Sequence, residues 1–232
     1  EPQSPEELFF ILAAIAAHGI PIQTIAPKFT GRFNQGVDFV GDVEKFNQEF
    51  NDDVCVVNQA IVSFGLPENL KLSVHSGSDK FSIYPGIRRA LKTHGAGVHV
   101  KTAGTTWLEE LVGLAEAGGE ALLLVKHIYR QAHGRYQELC GPYATVIDID
   151  QDHLPAPDRV DAWEGSRLMA SLRHDQSNPD YNSNLRQLLH VAYKVAAESG
   201  STYLEALREH RQVIGRHVTE NLFERHIRPL FF

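Results

Sequence analysis

The polar residues that follow three apolar segments of the sequence are the strongest candidates for chemistry. The segment IPIQTIAPKF leads to Lys28 and then Arg32, KLSVH ends on His75, and GVHVK ends on Lys101. A neutral histidine can ligate a divalent metal, and lysine or arginine can pair with the carboxylate of an anionic substrate. These residue types indicate a metal-assisted site for a small acid, with Lys28 and Lys101 as candidate catalytic groups and Arg32 as a candidate substrate contact.

Each of these residues has a structural alternative when it is considered alone. A histidine at the end of a strand can hydrogen-bond a neighbouring loop, and a lysine there is often only solvated. The loop after His75 also carries Ser76 and Lys80, which we interpret as candidate substrate contacts. Ser76 taken alone is more typical of a turn or a helix cap. The functional interpretation therefore depends on the convergence of three strand ends.

Two aspartates in GVDFVGD, Asp38 and Asp42, are the nearest carboxylates in the chain topology that could complete a metal site with His75. Asp42 stands directly before a helix that the sequence predicts from Val43 to about Phe64, and an aspartate at that position typically caps the N-terminus. The two roles are compatible only if one oxygen caps while the other binds the metal. For Asp38 the alternatives are a metal ligand, an acid or base, and a solvated loop aspartate.

Three successive strand-loop-helix units, within residues 19–117, would position these groups. A helix between consecutive strands returns the chain to the same edge of the sheet, so the strands should run parallel, as in α/β barrels and open α/β sheets. In both architectures ligands bind at the carboxyl ends of the strands. The sequence therefore predicts that the residues after the three strands meet at one rim.

Local signals predict where the other elements begin. The pattern SPEE near the N-terminus predicts the start of a helix, whose apolar segment FFILAAIAA we expect to be buried. Thr106 and Glu109 fit the same capping pattern in the helix after the third strand. Residues 118–232 are mostly helical in pattern, with one further strand predicted in YATVIDID. We expect a single α/β domain over residues 1–232.

Composition and charge argue against several classes of function. The chain has 232 residues, 43% hydrophobic content and a net charge of -7, which indicates a substantial core and argues against nucleic acid or a membrane surface as a partner. Cys55 and Cys140 show no metal or redox spacing and fit the reducing cytoplasm. No apolar run is long enough to span a bilayer. The sequence contains no phosphate-loop, dinucleotide, zinc-protease or serine-esterase motif.

Longer stretches of the sequence resemble the tagaturonate epimerase family over nearly the whole chain. These stretches are APKFTGRFNQGVDFVGD, KLSVHSGSDKFSIYP, HVKTAGTTWLEE, YATVIDID, RHDQSNPDYN with RQLLHVAYKVAAE, and VTENLFERHIRPLF. The resemblance implies a TIM-barrel-type enzyme that needs a divalent metal and interconverts D-tagaturonate and D-fructuronate. Because the family's chains are considerably longer, it also implies that this chain is a carboxyl-terminal part, a partial barrel followed by a helical region.

The resemblance also implies roles for individual residues. It implies Asp42 and His75 as metal ligands and Asp38 as a ligand or an acid/base, with zinc, manganese, iron, nickel and cobalt all open as the metal. The roles of the lysines and of Arg32 come from strand-end topology instead. A partial barrel could be completed by a second copy of the chain, so a homo-oligomer is one expectation.

The chemistry of the implied reaction constrains its mechanism. The two ketouronates differ at the carbon β to the ketone, whose C–H is next to neither carbonyl nor carboxylate, so simple proton abstraction cannot invert it. A base that removes the hydroxyl proton on that carbon would let the adjacent C–C bond break in a retro-aldol step, and rotation and re-addition would invert the centre. Two alternatives stay open: another divalent-metal aldolase or isomerase acting on sugar acids or ketoses, and an inactive sugar-binding fragment.

Overall fold

The structure, a computed structural model, describes residues 2–74 and 79–232 and divides into two compact units. The first unit consists of residues 1–33, 38–101 and 227–232, and the second of residues 34–37 and 102–226. Each unit has its own hydrophobic core. In chain order the helices and strands are α1 (Pro5–Ala17), β1 (Thr24–Ile25), α2 (Val43–Phe64), β2 (Lys71–Val74), α3 (Tyr84–His94), β3 (Val98–Val100), α4 (Ala103–Ala117), α5 (Gly119–Gly134), α6 (Tyr136–Cys140), α7 (Pro157–Asp161), α8 (Gly165–Leu172), α9 (Ser183–Val191), α10 (Tyr193–Glu198), α11 (Ser201–Glu209), α12 (Arg211–Thr219) and α13 (Arg228–Phe231).

The first unit contains a three-stranded sheet in the order β1-β2-β3, and both strand pairs are parallel. This confirms the prediction of parallel strands from strand-loop-helix units. The first strand is only two residues long, much shorter than the segment IPIQTIAPKF that predicted it. Pro21 and Pro27 flank it, and because proline has no N–H to donate to a ladder, pairing there is limited.

Helix α2 forms the main wall of the first core. It spans Val43–Phe64, as the sequence predicted, and Gly65 after it takes the left-handed conformation. Its buried face packs aromatic rings together: Phe46 and Phe50 lie with ring centroids 5.1 and 5.9 Å from that of Phe29. Offset and edge-to-face packing of such rings stabilises a core beyond the area that they bury.

Helix α1 departs from the prediction that its apolar segment is buried. The predicted capping box at its start is present, since Ser4 and Glu7 each bond the other's backbone N–H. Leu8 and Leu12 are buried, but Phe10 on the same helix is 72% exposed. The expectation was wrong for that outer face, because only one side of α1 packs on the described part of the first unit.

In the second unit α4 is the central helix and packs against α5, α8, α9 and α12. On its outer side Arg216 and His217 of α12 both hydrogen-bond Glu116. The bond from Arg216, and to a smaller extent that from His217, holds the pKa of the Glu116 carboxyl below its ordinary value. In the described part of the chain, no helix is both long and apolar enough to cross a membrane.

The strand predicted in YATVIDID does not form. Gly141–Tyr143 is a 3-10 turn, and the residues after it are irregular. The Gln187 side chain makes both backbone bonds of Asp148: its Oε1 accepts from the Asp148 N–H and its Nε2 donates to the Asp148 carbonyl, each at 2.9 Å. A side-chain amide thus satisfies the backbone groups that a neighbouring strand would otherwise pair.

The capping pattern at Thr106 and Glu109 was also misplaced. Helix α4 begins at Ala103, so its N-cap is Thr102 and both residues lie inside the helix. The Thr106 hydroxyl donates back to the Thr102 carbonyl at 3.3 Å. Glu109 is 1% exposed and accepts a hydrogen bond from Asn221 Nδ2 at 3.1 Å. The Thr-x-x-Glu pattern at residues 106–109 therefore lies one helical turn after the actual start of α4.

A π-helical segment, Glu220–Ile227, joins α12 to α13. A π turn widens a helix by one residue and is rare outside functional or strained positions. Its buried residues are Asn221 and His226, and His226 Nδ1 lies 2.9 Å from the Asn221 carbonyl oxygen. The widened segment therefore turns two polar side chains inward.

Candidate functional site

The loop after β1 carries Lys28 and Arg32, and both side chains are exposed. Lys28 lies three residues beyond the strand, where its N–H donates to Gln3 Oε1 at 2.5 Å and its carbonyl accepts from the Gln3 N–H at 3.2 Å. Arg32 forms an isolated antiparallel bridge with Val40, with N–H···O distances of 2.9 and 3.2 Å. The backbone of this loop is thus fixed at two points, while the cationic side chains reach solvent.

Asp38, inside that loop, contacts the segment that follows β2. Its carboxylate accepts from the Ser82 N–H at 3.2 Å and from the Ser82 hydroxyl at 2.9 Å, and also from the N–H of Phe39 at 2.7 Å. Ser82 lies two residues beyond Lys80 in the 3-10 turn before α3. The structure therefore brings the loops after β1 and β2 together, as the strand-end argument requires of adjacent parallel strands.

Asp42 has the capping position that the sequence offered as its alternative role. Its Oδ1 accepts from the Lys45 N–H at 3.0 Å, and the residue is exposed at the start of α2. A carboxylate there satisfies one free N–H and interacts favourably with the helix dipole. One carboxylate oxygen is engaged by the cap.

Lys80, which we expected to contact substrate, is almost completely buried. It is 1% exposed, and Asp79 beside it is fully buried with φ of 59°, a left-handed conformation that aspartate tolerates better than most residues. Burial raises the pKa of the nearby Tyr84 hydroxyl, and the charges of Asp79 and Asp38 raise it further. Asp79, Asp38 and Tyr84 are thus close enough to influence one another, and Lys80 is closed off from solvent.

The remaining predicted residues divide into two cases. His75 and Ser76 lie outside the described residues. Lys101 is exposed one residue beyond β3.

The structure also shows a pair that sequence reasoning missed. Ser73 and His99 are register partners on adjacent strands, and Ser73 Oγ lies 2.8 Å from His99 Nδ1. His99 is exposed although it lies in the middle of β3, whereas Ser73 is buried. The signal that would have found this pair is the register between β2 and β3.

The described residues do not form a metal site by themselves. No group of three or more histidine, cysteine, aspartate or glutamate side chains within residues 2–74 and 79–232 is placed to hold a metal ion. Asp38 is engaged by Ser82, and Asp42 by its helix cap. Cys55 and Cys140 are both free thiols. A metal centre with three or more such ligands would therefore include at least one donor from outside the described residues.

The second unit contains a buried polar group that the sequence patterns did not indicate. Glu109, Asn221 and His226 are each nearly fully buried and are linked through Asn221, which donates to Glu109 and accepts at its carbonyl from the ring of His226 if Nδ1 is protonated. A buried carboxylate and imidazole are costly unless they are hydrogen-bonded. The available signal was the pair of glutamates, Glu109 and Glu110, within the apolar run WLEELVGL.

The second unit also has two clefts. One, of about 620 Å³, lies along the first turns of α4 and is lined mainly by apolar groups that include Trp107, Tyr193 and Tyr203. Burial raises the pKa of Glu110 in this cleft, although the Tyr203 hydroxyl that donates to it opposes the shift. The other, of about 410 Å³, is more polar and is lined by residues of segments 152–171 and 179–182.

Comparison with known proteins gave consistent results. The family model described as tagaturonate epimerase matches residues 1–228. The tagaturonate/fructuronate epimerase of Thermotoga maritima is 29% identical over 192 residues, which are 83% of this chain and 34% of that protein. The native crystal structure of the fructuronate-tagaturonate epimerase from Cohnella laeviribosi has a TM-score of 0.78 at 22% identity and covers 99% of this chain. A second crystal structure of that enzyme, with two glycerols, has a TM-score of 0.79. The chain spans 34% of the curated relative and 43% of the crystallised one.

Proposed function

Because the chain belongs to the tagaturonate epimerase family, we propose that it contributes to an enzyme that interconverts D-tagaturonate and D-fructuronate. The observation that supports this proposal is the family match over residues 1–228 of 232. Since the chain spans less than half the length of its relatives, the proposed activity is that of the complete site to which this chain contributes.

We propose that the three parallel strands are part of a TIM barrel. The strands are adjacent, parallel and in chain order, which is how consecutive barrel strands are arranged. Barrel closure requires more strands than the described residues contain, so they would come from elsewhere in the longer proteins or from a second copy. The free thiols of Cys55 and Cys140 suit the reducing cytoplasm that we propose as its location.

The proposed reaction requires a base at the substrate hydroxyl and a cation at the substrate carboxylate. Asp38 is the described carboxylate that lies between two loops after parallel strands, and we assign it the base role: it accepts the hydroxyl proton as the C–C bond breaks and returns it after re-addition. Lys28 and Arg32 are exposed after β1 and Lys101 is exposed after β3 of the same sheet, where they can hold the substrate carboxylate by charge-assisted bonds.

We also propose that a divalent metal binds to His75 and Asp42, as the family resemblance implies. The second oxygen of Asp42 is the atom left for this role, because the first accepts from Lys45. When bound, such an ion would act as a Lewis acid on the ketone. The described donors do not complete the coordination of such an ion. The proton transfers proposed above are therefore assigned to a side chain of this chain, Asp38, and not to the ion.

An assay of D-tagaturonate conversion tests the proposal. We expect Asp38→Asn to lower the rate of D-fructuronate formation by about 100-fold or more, the usual scale for losing a general base. Asp158→Asn, an exposed carboxylate on α7, is the matched control and should leave the rate unchanged. Cleavage products without epimer would indicate an aldolase instead, and an unaffected Asp38→Asn variant would remove Asp38 from the base role.

A further inference from the structure

The polar cleft of the second unit has the dimensions of a small-molecule site. Its volume of about 410 Å³ lies within the usual range for such sites. Arg159 and Arg167 supply two positive charges to its lining, and Asp152 and Asp180 supply two negative ones. The indole of Trp163 forms part of its wall. The cleft therefore combines charge of both signs with an aromatic surface.

Two of these charges are already paired with neighbours. The guanidinium of Arg167 stacks on Trp163, with its Cζ 4.8 Å from the ring centroid, and its Nε lies 3.7 Å from Asp180. Within residues 2–74 and 79–232, by contrast, no ion pair within 4 Å engages either Arg159 or Asp152. The cleft is thus left with one guanidinium and one carboxylate whose charges no adjacent side chain neutralises.

Trp163 lines this cleft, and its indole differs from that of the other tryptophan. The residue is 7% exposed, and its buried Nε1–H has no partner among the residues that the structure describes. The other tryptophan, Trp107, donates its Nε1–H to the Leu189 carbonyl at 2.8 Å. An unsatisfied buried N–H is costly, so the two indole N–H groups of this chain lie in different environments.

We propose that this cleft binds a small hydroxylated carboxylate, with its carboxylate on Arg159, a hydroxyl donating to Asp152, and its carbon skeleton beside Trp163 in the cleft wall. A guanidinium forms strong charge-assisted bonds with a carboxylate. A single negative charge suits the cleft better than a phosphate dianion does, because Asp152 and Asp180 would repel the second charge. The site belongs to the second unit, and the inference does not rest on the epimerase proposal.

The two tryptophans make a direct test possible with the intact 232-residue chain. In a ¹⁵N-labelled sample the indole N–H groups give two resonances, which Trp163→Phe assigns. We expect D-galacturonate to shift the Trp163 resonance and leave that of Trp107 unmoved. Arg159→Ala should weaken this binding by about tenfold or more. Arg211→Ala, a second exposed arginine on another helix, is the matched control and should change nothing.

Neutral D-galactose and inorganic phosphate complete the experiment. Both should shift the Trp163 resonance less than D-galacturonate does at equal concentration. A Trp163 resonance that no probe moves would overturn the inference, and so would equal shifts with galactose or an Arg159→Ala variant that binds normally. The Trp107 resonance reports whether each variant is folded. Because the readout is a chemical shift, its failure is distinguishable from the absence of epimerase activity.

Discussion

The Asp38 carboxylate accepts both the backbone N–H and the hydroxyl of Ser82, at 3.2 and 2.9 Å. This contact spans 44 residues of sequence and joins the loop after β1 to the turn before α3. It places a carboxylate where the residues after two parallel strands meet. The same bonds give Asp38 a structural role that can be measured separately from any catalytic one.

We expect Ser82→Ala to lower the free energy of unfolding by about 1 kcal/mol, because it removes one hydrogen bond to a charged acceptor and keeps the backbone N–H. Asp38→Ala should cost about 1–3 kcal/mol, since all the donors at this position lose their partner. Urea unfolding of both variants and of the double variant gives the coupling energy. Additive effects would mean that the two side chains do not interact in solution.

The metal proposal predicts that substitutions of His75 and His99 have different effects on metal content. Elemental analysis after dialysis should find a divalent metal on the wild-type chain and lose it in His75→Ala. His99→Ala is the matched control, because His99 is exposed on β3 and bonds Ser73. Full occupancy in His75→Ala would exclude that residue as a ligand. No metal in any of the three proteins would mean that this chain alone does not hold the ion.

Asp53 on α2 should make the stability of the first unit depend on pH. Burial, with the nearby charges of Glu49 and Asp52, raises its pKa from 3.8 to about 7. The folded state then binds a proton that the unfolded state has lost, so the stabilisation is complete below 3.8 and is lost as the pH rises to about 7.

Thermal unfolding at pH 5 and pH 8 measures this effect. Asp53→Asn keeps a neutral side chain of similar shape, so its melting temperature should fall much less than that of the wild type between the two pH values. Glu68→Gln, at an exposed position, should behave like the wild type. A wild-type melting temperature that does not fall with pH would contradict the prediction.

Two glycines test the contact between α4 and α12. A Cβ on Gly113 would lie 2.8 Å from the Ile214 Cα, a backbone atom that cannot rotate away, whereas one on Gly215 would meet nothing within 4 Å. We expect Gly113→Ala to destabilise the chain by about 1–3 kcal/mol. Gly215→Ala should stabilise it by about 0.4–1 kcal/mol, because alanine favours the helix. Denaturant midpoints of the two variants should therefore move in opposite directions.

Sequence patterns predicted the elements whose signals are local. Helix α2 has the expected bounds because its cap, its amphipathic repeat and Gly65 are all contiguous in the chain. The parallel sheet followed from the order of strands and helices. The strand in YATVIDID failed because the competing partner, Gln187, is 39 residues from Asp148. No local pattern contains that information.

The candidate site was predictable to a similar extent. The Asp42 cap could be inferred from its neighbours, and the meeting of the loops after β1 and β2 followed from topology. The burial of Lys80 and Glu109 could not be inferred, because it depends on which segments cover them in three dimensions. The site roles of Lys28, Arg32 and Lys101 remain predictions.

The two bonds between Gln187 and Asp148 restrict which residues can replace glutamine at position 187. The position needs an acceptor and a donor side by side at the end of a side chain of this length. Single-base changes of a glutamine codon give glutamate, lysine, arginine, histidine, leucine, proline or a stop, and none of these, with glutamate ionised, offers that pair at that reach. A single-base change that replaces this glutamine therefore removes the partner of at least one backbone group of Asp148.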